Sequence, residues 1–124
     1  TDKGYLKNIA DILKNTVVRP GDMVARYGNE RFACVLPETD SDGGFIIAEK
    51  MRRAVYDANL TDTPILCDSF ITISIGVASC VPEHGLTPDT LMEQATLILL
   101  RAKDDGGNMV LLYAYFTEEI ADSN

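Results

Sequence analysis

The stretch VARYGNERFACVLPETD, residues 24–40, decides how the chain is to be read. Two runs with strand-forming residues, Met23 to Arg26 and Arg31 to Leu36, flank the connection Tyr27-Gly28-Asn29-Glu30, and Gly-Asn is a signal for a primed two-residue hairpin turn. Pro37 closes the second run. Asp40-Ser41-Asp42 then caps a helix whose apolar face is Ile47, Ala48, Met51, Ala54 and Val55, three and four residues apart. A hairpin followed at once by a helix is a unit of a layered α and β fold. At its tip stand a carboxylate and a guanidinium, Glu30 and Arg31.

Working outward, Leu6, Ile9, Ala10, Leu13 and Val17 form one helical stripe that ends before Pro20-Gly21. SFITISIGVAS alternates, with Ile71, Ile73, Ile75 and Val77 on one face, and PILCD (64–68) is placed to pair with it through Asp68-Ser69. Thr87-Pro88 opens a helix through Leu91, Ala95, Ile98, Leu99 and Ala102 that stops at Gly106-Gly107. Thr96, Leu97 and Leu100 leave this helix apolar nearly all round, which predicts a cover from a partner or another copy. NMVLLYAYF reads as a last strand and TEEIADSN as an acidic tail. The order predicts an α+β fold, helices on a mostly antiparallel central sheet, in one domain over 1–114 with a tail over 115–124.

With 124 residues, 46% of them hydrophobic, the chain supports a single core. No apolar run reaches the ~18 residues of a bilayer span. A net charge of −8 and a pI near 4.4 oppose binding to a nucleic-acid polymer, which depends on clustered Lys and Arg. Cys34, Cys67 and Cys80 have no metal-ligand spacing; Cys34 and Cys67 lie in apolar runs where a thiol packs as a small hydrophobe, and the expected setting is a reducing cytoplasm. The single histidine, His84, sits in the loop-like VPEHGLTP and gives no basis for a histidine triad or metal site. The chain opens directly on helix-like sequence, so the natural N-terminus is expected to lie upstream.

RPGDMVARYGNERFACVLPETD, AEKMRRAV, ITISIGVAS and LMEQATLILLRAKDDGGN resemble, in order and spacing, successive landmarks of the GGDEF family, the bacterial diguanylate cyclases. The resemblance implies a palm-like fold related to nucleotide cyclases. Active members of that family join two GTP molecules into cyclic di-GMP across a dimer, with Mg²⁺ or Mn²⁺. The family signature is two glycines, two acids and a phenylalanine; here the five positions are Gly28, Asn29, Glu30, Arg31 and Phe32. Glu30 is the remaining metal-ligand candidate, and Gly28, Asn29 and Lys103 match phosphate-binding positions. Asn29 tolerates left-handed backbone but brings a side chain to where phosphates approach. Arg31 turns attraction for a dication into repulsion: at ~5 Å and an effective dielectric near ~20, each unit-charge pair is worth about 3 kcal/mol.

Other departures agree. The family's metal-binding aspartate and guanine-reading asparagine fall on a strand upstream of Thr1, and Asp2 lies near the second guanine-reading position with a spacing to Leu6 one residue longer than the family's. In the last landmark the chain has Ala95-Thr96, Leu99-Leu100, Ala102-Lys103 and Gly106-Gly107-Asn108, with Gly107 where the family has arginine. An Arg-x-x-Asp motif, Arg19-Pro20-Gly21-Asp22, stands where family members bind product cyclic di-GMP, and Lys50 stands where a second arginine for that ligand is often found. A guanidinium suits a bidentate grip on a guanine edge or phosphate, and a carboxylate accepts from guanine N–H groups. The reading is a degenerate, non-catalytic domain of a cyclic di-GMP signalling protein, attached to sensor or phosphodiesterase domains in a cytoplasmic or membrane-anchored parent. The alternatives are a cyclase that recruits Arg31 to the triphosphate of GTP, and an interaction module without ligand that keeps a dimer surface. The same residues have plain structural roles open to them: a turn at 19–22, a solvated hairpin at Glu30, and helix-dipole compensation at Lys103.

Overall fold

The computed structural model describes residues 4–28, 31–61, 70–81 and 87–113. Helix α1 (Gly4–Thr16) leads into the antiparallel pair β1 (Met23–Arg26) and β2 (Phe32–Val35), then helix α2 (Ser41–Ala58). Strand β3 (Ile75–Val77), helix α3 (Pro88–Asp104) and strand β4 (Val110–Leu112) complete the order. The class is α+β, as the sequence predicts.

The periodic faces lie where spacing put them. Leu6, Ile9 and Leu13 of α1 are buried, as are Ala48, Met51 and Val55 of α2 and Ile98 and Ala102 of α3. Ile9, Leu13, Met51 and Val55 form one cluster, with Val24 and Phe32 of the hairpin on it together with Ile71, Ile73 and Ile75. Helix ends follow local chemistry. Asp40 accepts from the Gly43 amide at 2.8 Å, and the Thr87 hydroxyl accepts from the Thr90 amide at 3.1 Å ahead of Pro88. At the end of α3 the Gly107 amide reaches Ala102 O (2.9 Å) and the Gly106 amide reaches Lys103 O (3.3 Å), the paired bonds of a Schellman motif. Gly106 (φ 121°), Gly107 (φ 73°) and Asn108 (φ 51°) then carry the chain through left-handed backbone into β4.

Three details depart from the sequence reading. The pair β3–β4 is parallel (Ile75 with Val110, Val77 with Leu112), with α3 as the crossover between them. The ladder covers Ile75–Val77, so the strand is shorter than SFITISIGVAS, although Ile71 and Ile73 still face the core and Thr72 is exposed. Arg26 pairs with Phe32, and Tyr27 N–H donates to Arg31 O at 2.8 Å, so the innermost bond encloses three residues, 28–30, rather than the two of a primed turn. That register sets Val24 and Phe32 inward and leaves Met23 and Val35 exposed. The pairing proposed for 64–68 and the tail lie outside the described residues.

Strand β3 lies close against α3. A Cβ on Gly76 would stand 2.3 Å from Ala95 O and 2.6 Å from Leu99 N, so only glycine lets the strand lie against the α3 backbone.

Candidate functional site

Pro20 fixes the backbone just after α1, and Asp22 N–H donates to Arg19 O at 3.0 Å, closing a β-turn over 19–22. The turn brings the two charged side chains together. Arg19 Nε donates to Asp22 Oδ2 at 3.1 Å and Nη2 to Oδ1 at 2.9 Å. Nη2 also donates to the Pro37 carbonyl at 2.7 Å and to the Thr39 hydroxyl. Donating to Asp22's carboxylate raises the already high pKa of Arg19, which stays a cation throughout the working pH range. Arg19's side chain is 44% exposed and Asp22's only 2%. The bidentate grip expected of Arg19 toward a ligand is therefore made on Asp22, and Asp22's carboxylate is turned away from solvent.

At the hairpin tip Gly28 adopts φ 79°, and a Cβ there would meet open space, so glycine serves the turn's backbone rather than a close approach within the chain. Arg26 Nε donates to Gly28 O at 3.2 Å, and its guanidinium lies 5.6 Å from the centre of the Phe32 ring. Arg31 is half-buried next to the turn. Asn29 and Glu30 lie outside the described residues, as do Asp2, Cys67 and His84. Among the described residues no group of three or more His, Cys, Asp or Glu is gathered to hold a metal ion. Arg31 places a positive charge at the signature, which opposes a dication there.

Lys103 is exposed in the last turn of α3, where the helix dipole favours a cation. Lys50 is exposed on the outer face of α2, in an open groove of about 570 Å³ with Phe45, Ile46 and Arg53, and is not among the contacts of Arg19. Arg52 is a charged contact that sequence reasoning missed. It pairs with Glu49 (Nε to Oε1, 2.7 Å) and donates from Nη1 to Asn108 Oδ1 at 3.0 Å, tying α2 to the corner after α3. The hydrogen bond that Arg52 donates to Glu49 holds Glu49's carboxyl below its ordinary value. The i,i+3 spacing to Glu49 was legible; the link to Asn108 was not. Cys34 corrects the expectation of a packed thiol, since the residue is exposed, although desolvation of its sulfur raises the pKa to about 11. Leu97 and Leu100 are exposed on α3.

The sequence profile for "Diguanylate cyclase, GGDEF domain" matches residues 3–109. The chain belongs to the GGDEF family. Its relatives include diguanylate cyclase DgcM of Escherichia coli (strain K12), 38% identical over 93 residues, covering 75% of this chain and 21% of DgcM. YhcK of Bacillus subtilis (strain 168) is 38% identical over 107 residues, covering 85% of this chain and 28% of YhcK. This GGDEF chain thus spans about a fifth to a quarter of these curated relatives. Among solved structures, the GGDEF domain of DgcB from Caulobacter crescentus, in complex with c-di-GMP, superposes with a TM-score of 0.76 at 26% identity, over 88% of this chain and 63% of that one. The GGEEF domain of a diguanylate cyclase from Vibrio cholerae gives a TM-score of 0.77 at 23% identity, over 91% of this chain and 70% of that one, a likeness of fold. Among the described residues no helix is long and apolar enough to cross a membrane.

Proposed function

We propose that this GGDEF domain is a degenerate, non-catalytic module of a bacterial cyclic di-GMP signalling protein, and that it binds cyclic di-GMP at Arg19 and the turn that Asp22 completes. The observation that carries the reading is the pairing of a kept element with a damaged one. The Arg19–Asp22 turn is intact and its guanidinium faces solvent, while Arg31 and Gly107 stand where the family supplies an acid and an arginine. The solved relative DgcB was crystallised with c-di-GMP, which supports this ligand class for the fold. In the same reading Lys50 adds positive charge toward the ligand, Gly28, Asn29 and Lys103 are remnants of a GTP site, and sensor or phosphodiesterase domains in the cytoplasm read the bound state.

Calorimetric titration of the protein with cyclic di-GMP, beside Arg19→Ala, tests the binding half. Saturable binding lost in the variant is the expected result; no heat up to ~100 µM ligand, equivalent to about −5.5 kcal/mol, removes it. Incubation of the parent protein with GTP and Mg²⁺ or Mn²⁺ tests the other half, and formation of cyclic di-GMP defeats the non-catalytic reading. A second reading, a module that engages a partner or another copy and no nucleotide, is favoured by exposed Leu97 (61%) and Leu100 (42%) on α3.

A further inference from the structure

A guanidinium has five N–H donors, and how they are spent decides what a ligand can meet. In Arg19 the Nε and Nη2 edge is closed by Asp22. Nη2 has two protons for three acceptors, so one N–H is shared between the Pro37 carbonyl and the Thr39 hydroxyl. Thr39 Oγ1 in turn donates to Pro37 O at 3.2 Å, so the hydroxyl has one hydrogen bond in each direction. Among the described residues nothing accepts from Nη1. What solvent meets is Nη1 with its two donors and the flat face of the group, whereas Asp22 is covered.

We infer that Thr39 is a positioning residue of the Arg19 site: its hydroxyl, with the Pro37 carbonyl, fixes the guanidinium so that Nη1 and the planar face are presented to a guanine nucleotide. The inference rests on the reading that Arg19 contacts cyclic di-GMP. Acceptors on the base edge or phosphate then meet Nη1, and the purine stacks on the plane. Holding a long side chain in one rotamer before the ligand arrives removes an ordering cost from binding. The clamp also crosses the fold, since Arg19 precedes β1 whereas Pro37 and Thr39 follow β2.

Two substitutions separate the hydroxyl from the rest of the side chain. Thr39→Val keeps the methyl Cγ2, which lies 3.0 Å from the position a Cβ on Gly43 would take, and removes the hydroxyl. Thr39→Ser does the reverse. Expected in cyclic di-GMP titrations are a loss of about tenfold in affinity for Thr39→Val and a change within about twofold for Thr39→Ser. Unchanged or tighter binding by Thr39→Val, or a loss confined to Thr39→Ser, overturns the inference, the latter because it would show a packing role. If the unsubstituted protein binds no cyclic di-GMP, the functional reading falls, and side-chain NMR of Arg19 decides the clamp alone. Rotation about the Cζ–Nη2 bond, slow in the unsubstituted protein and in Thr39→Ser, is expected to speed up in Thr39→Val; equal rates in all three overturn it.

Discussion

The unit β3–α3–β4 and the β1–β2 ribbon are held by different forces. In the first, backbones touch: Gly76 lets a strand lie on α3, and Ile98, Ala102 and Val110 are buried around the contact. In the second, Met23 and Val35 face solvent across from each other, and the base is clamped by Arg19 through Asp22, Pro37 and Thr39. The groups argued to meet a nucleotide belong to the polar, lightly packed half, where side chains can be exchanged without undoing the core.

Substitutions can break this comparison. Gly76→Ala drives a methyl into the Ala95 carbonyl and should cost about 3 kcal/mol or more, read as a loss of folded signal or a large fall in urea midpoint; a near-neutral result would show that α3 can lift away. Met51→Ala, in the shared core at 3% exposure, should cost about 2–5 kcal/mol, whereas Val35→Ala on the ribbon should stay within about 0.5 kcal/mol. Equal effects would erase the distinction between packed and clamped halves. Thr87→Ala removes the cap of α3 and should cost about 1 kcal/mol in the same assay.

The smallest effect sharpens the comparison by pH. Glu49 is held below its ordinary value of 4.5 by Arg52, so the pair's contribution is complete above that unfolded-state value and disappears as pH falls through the lower folded-state one. Glu49 is 39% exposed, which limits the contribution to under about 1 kcal/mol after solvent screening. Urea midpoints of the unsubstituted protein and Glu49→Gln should differ slightly at neutral pH and converge under acid conditions.

What was legible in the sequence was local. The caps at Asp40 and Thr87, the stop at Gly106-Gly107, the bounds of β1 and the buried stripes of α1 and α2 each follow from residues within a turn or two of one another. What was not legible depends on distant partners. The hairpin register follows from which of Val24 and Phe32 reach the core, not from the Gly-Asn pair. The parallel pairing of β3 with β4 requires the α3 crossover in three dimensions. At the site, Arg-x-x-Asp gave Arg19 and Asp22, but their mutual pairing was not legible, and Thr39 is 20 residues from the arginine it holds. A threonine beside the helix cap Asp40 gave no separate signal.

The corner at Gly107 bears on how such a domain could change course. At φ 73° and with Ser74 Oγ only 3.3 Å from the position of an added Cβ, this site resists any larger residue. Installing the arginine that relatives of this type display would require the chain to re-bend and Ser74 to give way, while Asn108 kept its bond to Arg52. Placing a larger side chain at Gly107 would therefore take a coordinated series of steps, and the fold acts as a ratchet against that single substitution.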